Sequence, residues 1–300
     1  MDRIGVAAVS RNYFNLPLWI ALHEGMWRAE GVEVALELHE GIDAVTERLR
    51  DGRVELACGV AEHVVLDAER GGRLRIVAGN VNKLPFTLIG APHVRTIADL
   101  RGRTIGVSSI EAGSSSLVMQ LLAEHGLRCS EDYRLLAVGP ILARWRMLQS
   151  GEIDAGLQGA PLDSIALDRG FTALANPRDR FPWFQFTSVN ADAAWSARNR
   201  DLVVRVLRGL VRAHQWFHGN RAGATRIAVE ETGVDERYAL RAWDEYAAHE
   251  IFPRDGDAST AGVQALIDIS AQIRALPSRG QLRAEDYIDR SYLDAARASR

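Results

Sequence analysis

Short runs of aliphatic and β-branched residues alternate with longer stretches in which apolar positions recur every three or four residues, a grammar that holds to about Asp201. It predicts parallel sheets covered by helices. Ile4–Val9 reads as a strand and Leu16–Glu24 as a helix stopped by Gly25. Val32, Val34, Leu36 and Leu38 share one face of the next strand, with acids between them, so its other face is expected to meet water. Helices over about 41–50 and 61–70 flank a strand at Leu56–Cys58, and Leu74–Val81 closes the first unit. A second unit repeats the pattern. Thr104–Val107, Leu135–Val138 and Ala155–Gln158 are its expected strands. Ser114–His125, Ile141–Gln149 and Pro161–Asp168 are its helices, the last with proline in the first turn. Beyond Asp201 the chain reads as almost wholly helical, opening with Leu202, Val203, Val206, Leu207, Leu210 and Val211 on one face. Helices over 222–231, 235–249 and 261–276 follow. With no Pro/Gly-rich linker between the units, strands that cross directly between two lobes are expected.

Composition narrows the classes of function. Hydrophobic residues make up 47% of the 300, charged residues 25%, and the formal net charge is -3. Lys and Arg are dispersed among the acids, which gives no electrostatic footprint for nucleic acid. The apolar run Ile4–Val9 is too short to span a bilayer. It also lacks the basic leader and cleavage site of a secretory signal. As the sequence stands the protein is expected in the cytoplasm, or in the periplasm if a leader preceded Met1. Cys58 and Cys129 form no C-x-x-C pair and suggest no thiolate metal site.

Four segments carry a family resemblance: Leu22–Trp27 with Glu30–Val34, Asp99–Val107, Arg146–Ala155, and Asp286–Asp289. In this order they resemble the branch of type II periplasmic-binding proteins that includes sulfonate- and nitrate-binding proteins and the thiamine-pyrimidine synthases. The resemblance implies an α/β fold of two Rossmann-like lobes joined by two crossing strands, with the helical C-terminal part packed on the first lobe. It places lobe 1 at residues 1–86 plus 188–300 and lobe 2 at 87–187, with a ligand cleft between them. Phe86–Ile89 and Phe184–Val189 would be the crossing strands, forming a hinge.

In such sheets ligands bind beyond the carboxyl ends of strands. The candidates on that rule, with the hinge aromatics added, are Asn12, Tyr13, Phe14, Asn15, His39, Glu62, His63, Phe86, Ser109, Gly113, Ser114, Ser115, Arg144, Gln158 and Trp183. Ile110-Glu111-Ala112-Gly113-Ser114-Ser115-Ser116 offers backbone N–H groups, hydroxyls and a helix dipole to an anion, or else one serine simply caps the helix. Tyr13, Phe14, Phe86, Trp183 and Phe184 would ring the cleft and suit a planar or partly apolar ligand. Arg144 is expected either to meet an anion across the cleft or to lie on a solvated helix face.

His63 falls on the substrate histidine of the thiamine-pyrimidine synthases, and it is the one candidate for catalysis. The position of their cofactor lysine holds Gly59, and their Cys-rich iron motif is missing. No cofactor is expected. His214 and His218 lie one turn apart without a third ligand, so no metal is expected either. Two readings stay open. One is a receptor for a small organic anion, partnered by an ABC permease if exported. The other is an enzyme on the same fold, of decarboxylase, desulfinase or pyrimidine-synthase type, acting on a small aromatic or heteroaromatic acid.

Overall fold

Among the described residues, ten strands divide between two five-stranded sheets. In chain order they are β1 (Asp2–Val9), β2 (Val32–His39), β3 (Leu56–Val60), β4 (Leu74–Val81), β5 (Phe86–Gly90), β6 (Thr104–Val107), β7 (Arg134–Ala137), β8 (Ala155–Gly159), β9 (Thr172–Ala175) and β10 (Thr187–Asp192). The computed structural model describes residues 1–111 and 113–298; Ala112 of the serine-rich loop lies outside them, with the last two residues. The first sheet runs β2-β1-β3-β10-β4 and the second β7-β6-β8-β5-β9.

The chain passes between the sheets twice, through residues 82–85 and again through 176–186. Each passage feeds a strand that runs antiparallel to its neighbours. β10 opposes β3 and β4, and β5 opposes β8 and β9. The direction has a simple cause: β1 and β3 run toward the space between the sheets, whereas a strand arriving from the other lobe starts there and runs away. Phe86 therefore pairs with Gly159 of the second sheet, and Thr187 with Val60 of the first.

Burial follows sheet position. β3 and β8 are buried throughout and read as unbroken small or apolar runs, as strands covered on both faces do. β2 lies at the edge and exposes its acidic residues. The twenty-residue helix Arg200–Gly219 packs on the helices Leu16–His23 and Ser291–Ala298, which belongs to the expected C-terminal cover of the first lobe. Two C-terminal helices also reach the second lobe. Thr260–Arg274 touches Ser115–Ala123, and Glu236–Ala248 touches Leu162–Asp168.

β9 and the short helices Met26–Ala29, Pro177–Arg180 and Ala193–Arg198 were not foreseen. The last helix begins at Ser291, beyond the segment Asp286–Asp289. Ile288 forms a parallel bridge with Ile76 and Asp289 N–H donates to the Ile76 carbonyl, so the edge of the first sheet captures this segment in extended form. No helix among the described residues is long and apolar enough to cross a membrane.

Candidate functional site

The carboxyl ends of β1 and β4 in one sheet face those of β6 and β8 in the other. On the first wall Asn12 and Asn15 brace the loop after β1. Asn12 Nδ2 donates to Val9 O at 3.2 Å, and Asn15 Nδ2 donates to Val9 O at 2.9 Å and to Ser10 O. Asn80, next to last in β4, donates to Phe14 O at 2.9 Å and to Thr187 Oγ1. The amide nitrogens are thus spent on the fold. The carbonyl oxygens of Asn12, Asn15 and Asn80 are buried without a hydrogen-bond partner.

Aromatic rings seal the hinge side. Phe186 meets Phe14 and Phe86 edge-on, with centroids 5.9 and 4.7 Å away, and Tyr13 meets Tyr246 at 4.8 Å. Between Asn12, Tyr13 and Phe14 of one lobe and Ile141, Gly159 and Leu162 of the other lies a cavity of about 120 Å³.

Behind the second wall stands Arg144. It stands in the helix Ile141–Ser150 on the same stripe as Ile141, Trp145 and Leu148, all buried. Its stem runs over Gly106 and Gly156, where a Cβ would sit 3.2 and 2.8 Å from the arginine's methylenes, so the two glycines clear its path. Nε donates to Leu157 O at 2.8 Å and Nη1 reaches Ser114 Oγ at 3.5 Å. Both acceptors are neutral, and no carboxylate pairs with this 3% exposed guanidinium among the described residues. Burial alone pulls its pKa down to about 10. Gln158, next to last in β8, is fully buried and neither amide atom has a hydrogen-bond partner among the described residues.

The serine-rich loop is differently employed than the sequence suggests. Gly113, at a left-handed φ of 75°, donates its N–H to Glu62 Oε2 at 3.1 Å, so a carboxylate of the first lobe already stands at this helix start. Ser115 Oγ donates to Ile110 O, and Arg274 donates to Ser116 Oγ at 3.0 Å and to Ser115 Oγ and Ile110 O. Glu62 also accepts from Ser270 Oγ at 2.7 Å and pairs with buried Arg279 at 3.2 Å. Burial raises its pKa against the pull of these donors. Glu62, Gly113 and Ser115 thus join the lobes, and only Ser114 stays beside Arg144.

His63 lies in a separate recess of about 140 Å³ with Asp43, Ser109 and Glu111. Its Nδ1 shares a hydrogen bond with Thr46 Oγ1 at 2.6 Å, and Nε2 lies 3.5 Å from Asp43 Oδ1. Burial lowers its pKa, with Asp43 opposing. His39 turns to Glu37 at 3.2 Å and lines neither cavity. Trp183 is half exposed above Lys83, in a surface recess with His249 and Glu250, so it does not join the aromatic wall. His214 and His218 tie down the carbonyls of Pro253 and Phe252, and burial pulls His214 down to about 4.

Asn80, Asp163, Tyr246 and Arg274 were missed from the sequence. Asn80 carried a signal, a lone amide near the end of a strand that is apolar apart from Arg75. Asp163, in the first turn of the helix Leu162–Asp168, is pushed up to about 7 by burial and by nearby Glu245.

Comparison with known proteins places this architecture. The family described as NMT1/THI5 like matches residues 13–224, well over half of the chain. The chain belongs to that family. This NMT1/THI5-like protein is 26% identical over 168 residues to a 4-amino-5-hydroxymethyl-2-methylpyrimidine phosphate synthase of Uromyces fabae, which covers 55% of the chain and 48% of the relative. It therefore spans about half the length of the curated relatives it matches. Among solved structures it is similar to the periplasmic nitrate-binding protein NrtA of Synechocystis PCC 6803, with a TM-score of 0.86, 14% identity, and 100% and 89% of the two chains covered. It is also similar to the alkanesulfonate-binding protein SsuA of Xanthomonas axonopodis pv. citri, with a TM-score of 0.78, 21% identity, and 96% and 98% covered. These likenesses establish the two-lobed periplasmic-binding-protein fold.

The residues of this NMT1/THI5-like chain do not fit a lysine-bound cofactor. By the resemblance Gly59 stands where the synthases carry that lysine, and glycine offers no amine. The only lysine in the sequence is Lys83, on the outer side of the hinge, where Nζ donates to His249 O at 2.8 Å.

Proposed function

We propose that this protein is a receptor that closes its two lobes around a small organic anion, whose acidic group meets Arg144 at the carboxyl ends of β6 and β8. The observation that carries the reading is the buried guanidinium without a carboxylate. Burying an unpaired charge is costly, and folds retain one where a ligand supplies the opposite charge. Three of its five N–H donors remain for that partner. Unpartnered amide oxygens and aromatic rings around the cavity suit the planar, partly apolar remainder of such a molecule. Two of the similar structures are named for the anions they bind, nitrate and alkanesulfonate, and this supports the same class of ligand here. An ABC permease is the partner such a receptor would serve.

A second reading, catalysis on the captured acid, draws support from the matched synthases and from the buried His63 beside Asp43. The two readings separate on the fate of the ligand. The protein is passed through a cell extract, native mass spectrometry identifies the acid it retains, and that acid is incubated with fresh protein, with and without added metal and reductant. The receptor reading expects it back unchanged. Turnover that is lost in His63→Ala would replace the receptor with an enzyme.

A further inference from the structure

Resting on the anion cleft proposed above, we infer that Gln158 makes it selective for acids that also carry a planar donor–acceptor edge, such as a carboxamide or lactam. Gln158 and Gly156 stand two residues apart in β8 and so present to the same face of the sheet, the face over which the Arg144 stem runs. The residue next to it, Gly159, lines the cavity between the lobes together with Asn12 and Phe14. Gln158 is 0% exposed, yet both Oε1 and Nε2 lack a hydrogen-bond partner.

Buried amides nearly always bond, and an unbonded one costs the fold stability. A carboxamide whose two arms are both open matches a group with the opposite order of donor and acceptor, just as glutamine pairs with the edge of adenine. The facing wall extends the pattern, since the open atoms of Asn12 and Asn80 are both acceptors. A site that hydrogen-bonds a polar edge also rejects analogues lacking it, because its own buried groups are then left unpaired.

The test measures dissociation constants by calorimetry for meta- and para-carbamoylbenzoate against meta- and para-acetylbenzoate, in which a methyl replaces the amide NH2. The wild type is expected to prefer the carbamoyl compound of at least one pair by about tenfold or more, the effect of one well-made hydrogen-bond pair. In Gln158→Met that preference should vanish, with the carbamoyl and acetyl compounds of each pair binding alike. Without ligand, Gln158→Met should melt no lower than the wild type, because an unbonded amide is replaced by an apolar chain of similar length. Equal binding of carbamoyl and acetyl compounds, both lost in Arg144→Leu, would overturn the edge and leave the anion cleft standing. A preference that survives in Gln158→Met, or a clear fall in its melting temperature, would show that Gln158 does other work. Failure of all four acids to bind would count against the anion cleft itself, and the inference would fall with it.

Discussion

Arg144→Leu is expected to weaken capture of the proposed acid sharply. Removing one partner of a buried, hydrogen-bonded charge pair weakens binding by roughly 2–5 kcal/mol, which is a factor of about 30 or more in affinity. The same change should leave the ligand-free protein as stable as before or more so. The guanidinium is buried against neutral acceptors alone, and leucine takes up its space over Gly106 and Gly156 without a desolvated charge. Calorimetric titration and thermal melting read the two effects separately. Lost affinity with a preserved melt assigns Arg144 to the ligand. A large fall in melting temperature would make it a structural residue and remove the main support for the anion cleft.

The second large effect is expected where the lobes are tied. Glu62→Ala leaves Arg279, 3% exposed, with Glu69 as its remaining carboxylate and the neutral Ser270 hydroxyl beside it, and strips the Gly113 N–H of its acceptor. Breaking a buried ion pair from one side costs about 3–5 kcal/mol, so this variant should melt well below the wild type. Arg274→Ala is the gentler companion. Its contacts are those with Ile110, Ser115 and Ser116 of the second lobe, and its side chain is partly solvated. Stability should change little, while the population with the lobes together falls, since these contacts exist only in that state. Small-angle scattering should therefore show a larger radius of gyration for ligand-free Arg274→Ala, with compaction restored by the captured acid. An unchanged profile in both conditions would mean that these bonds do not govern closure.

The architecture was legible where periodicity was strong. The change of period from two to about 3.6 marked nearly every strand and helix of the two units, and Gly and Pro marked their ends. β9 escaped because four residues, Thr172–Ala175, are too few to show a pattern and become a strand only by pairing with β5. The site was legible only in part. The strand-end rule named Asn12, Phe14, Arg144 and Gln158, but it left Arg144 between the cleft and a solvated helix face, and only the structure shows it buried on one stripe with Ile141, Trp145 and Leu148. The clearance for its stem comes from two glycines in different strands, whose adjacency depends on the register of β6 with β8. The serine-rich loop resembled an anion site for a sound physical reason, and an anion does stand there. It is the carboxylate of Glu62, held by residues more than 200 positions away in the chain, a distance that local patterns cannot bridge. Trp183 shows the opposite failure: its place at the hinge was foreseeable, but the direction of its ring was not.

The measurement that bears most directly on the central claim is the experimental structure of the protein with the small molecule it captures. The acidic group is expected on the Arg144 guanidinium, with the rest of the molecule touching both walls, Asn12 and Phe14 on one side and Gln158 on the other. A molecule held by one lobe alone, or one whose acidic group is turned away from Arg144, would contradict it.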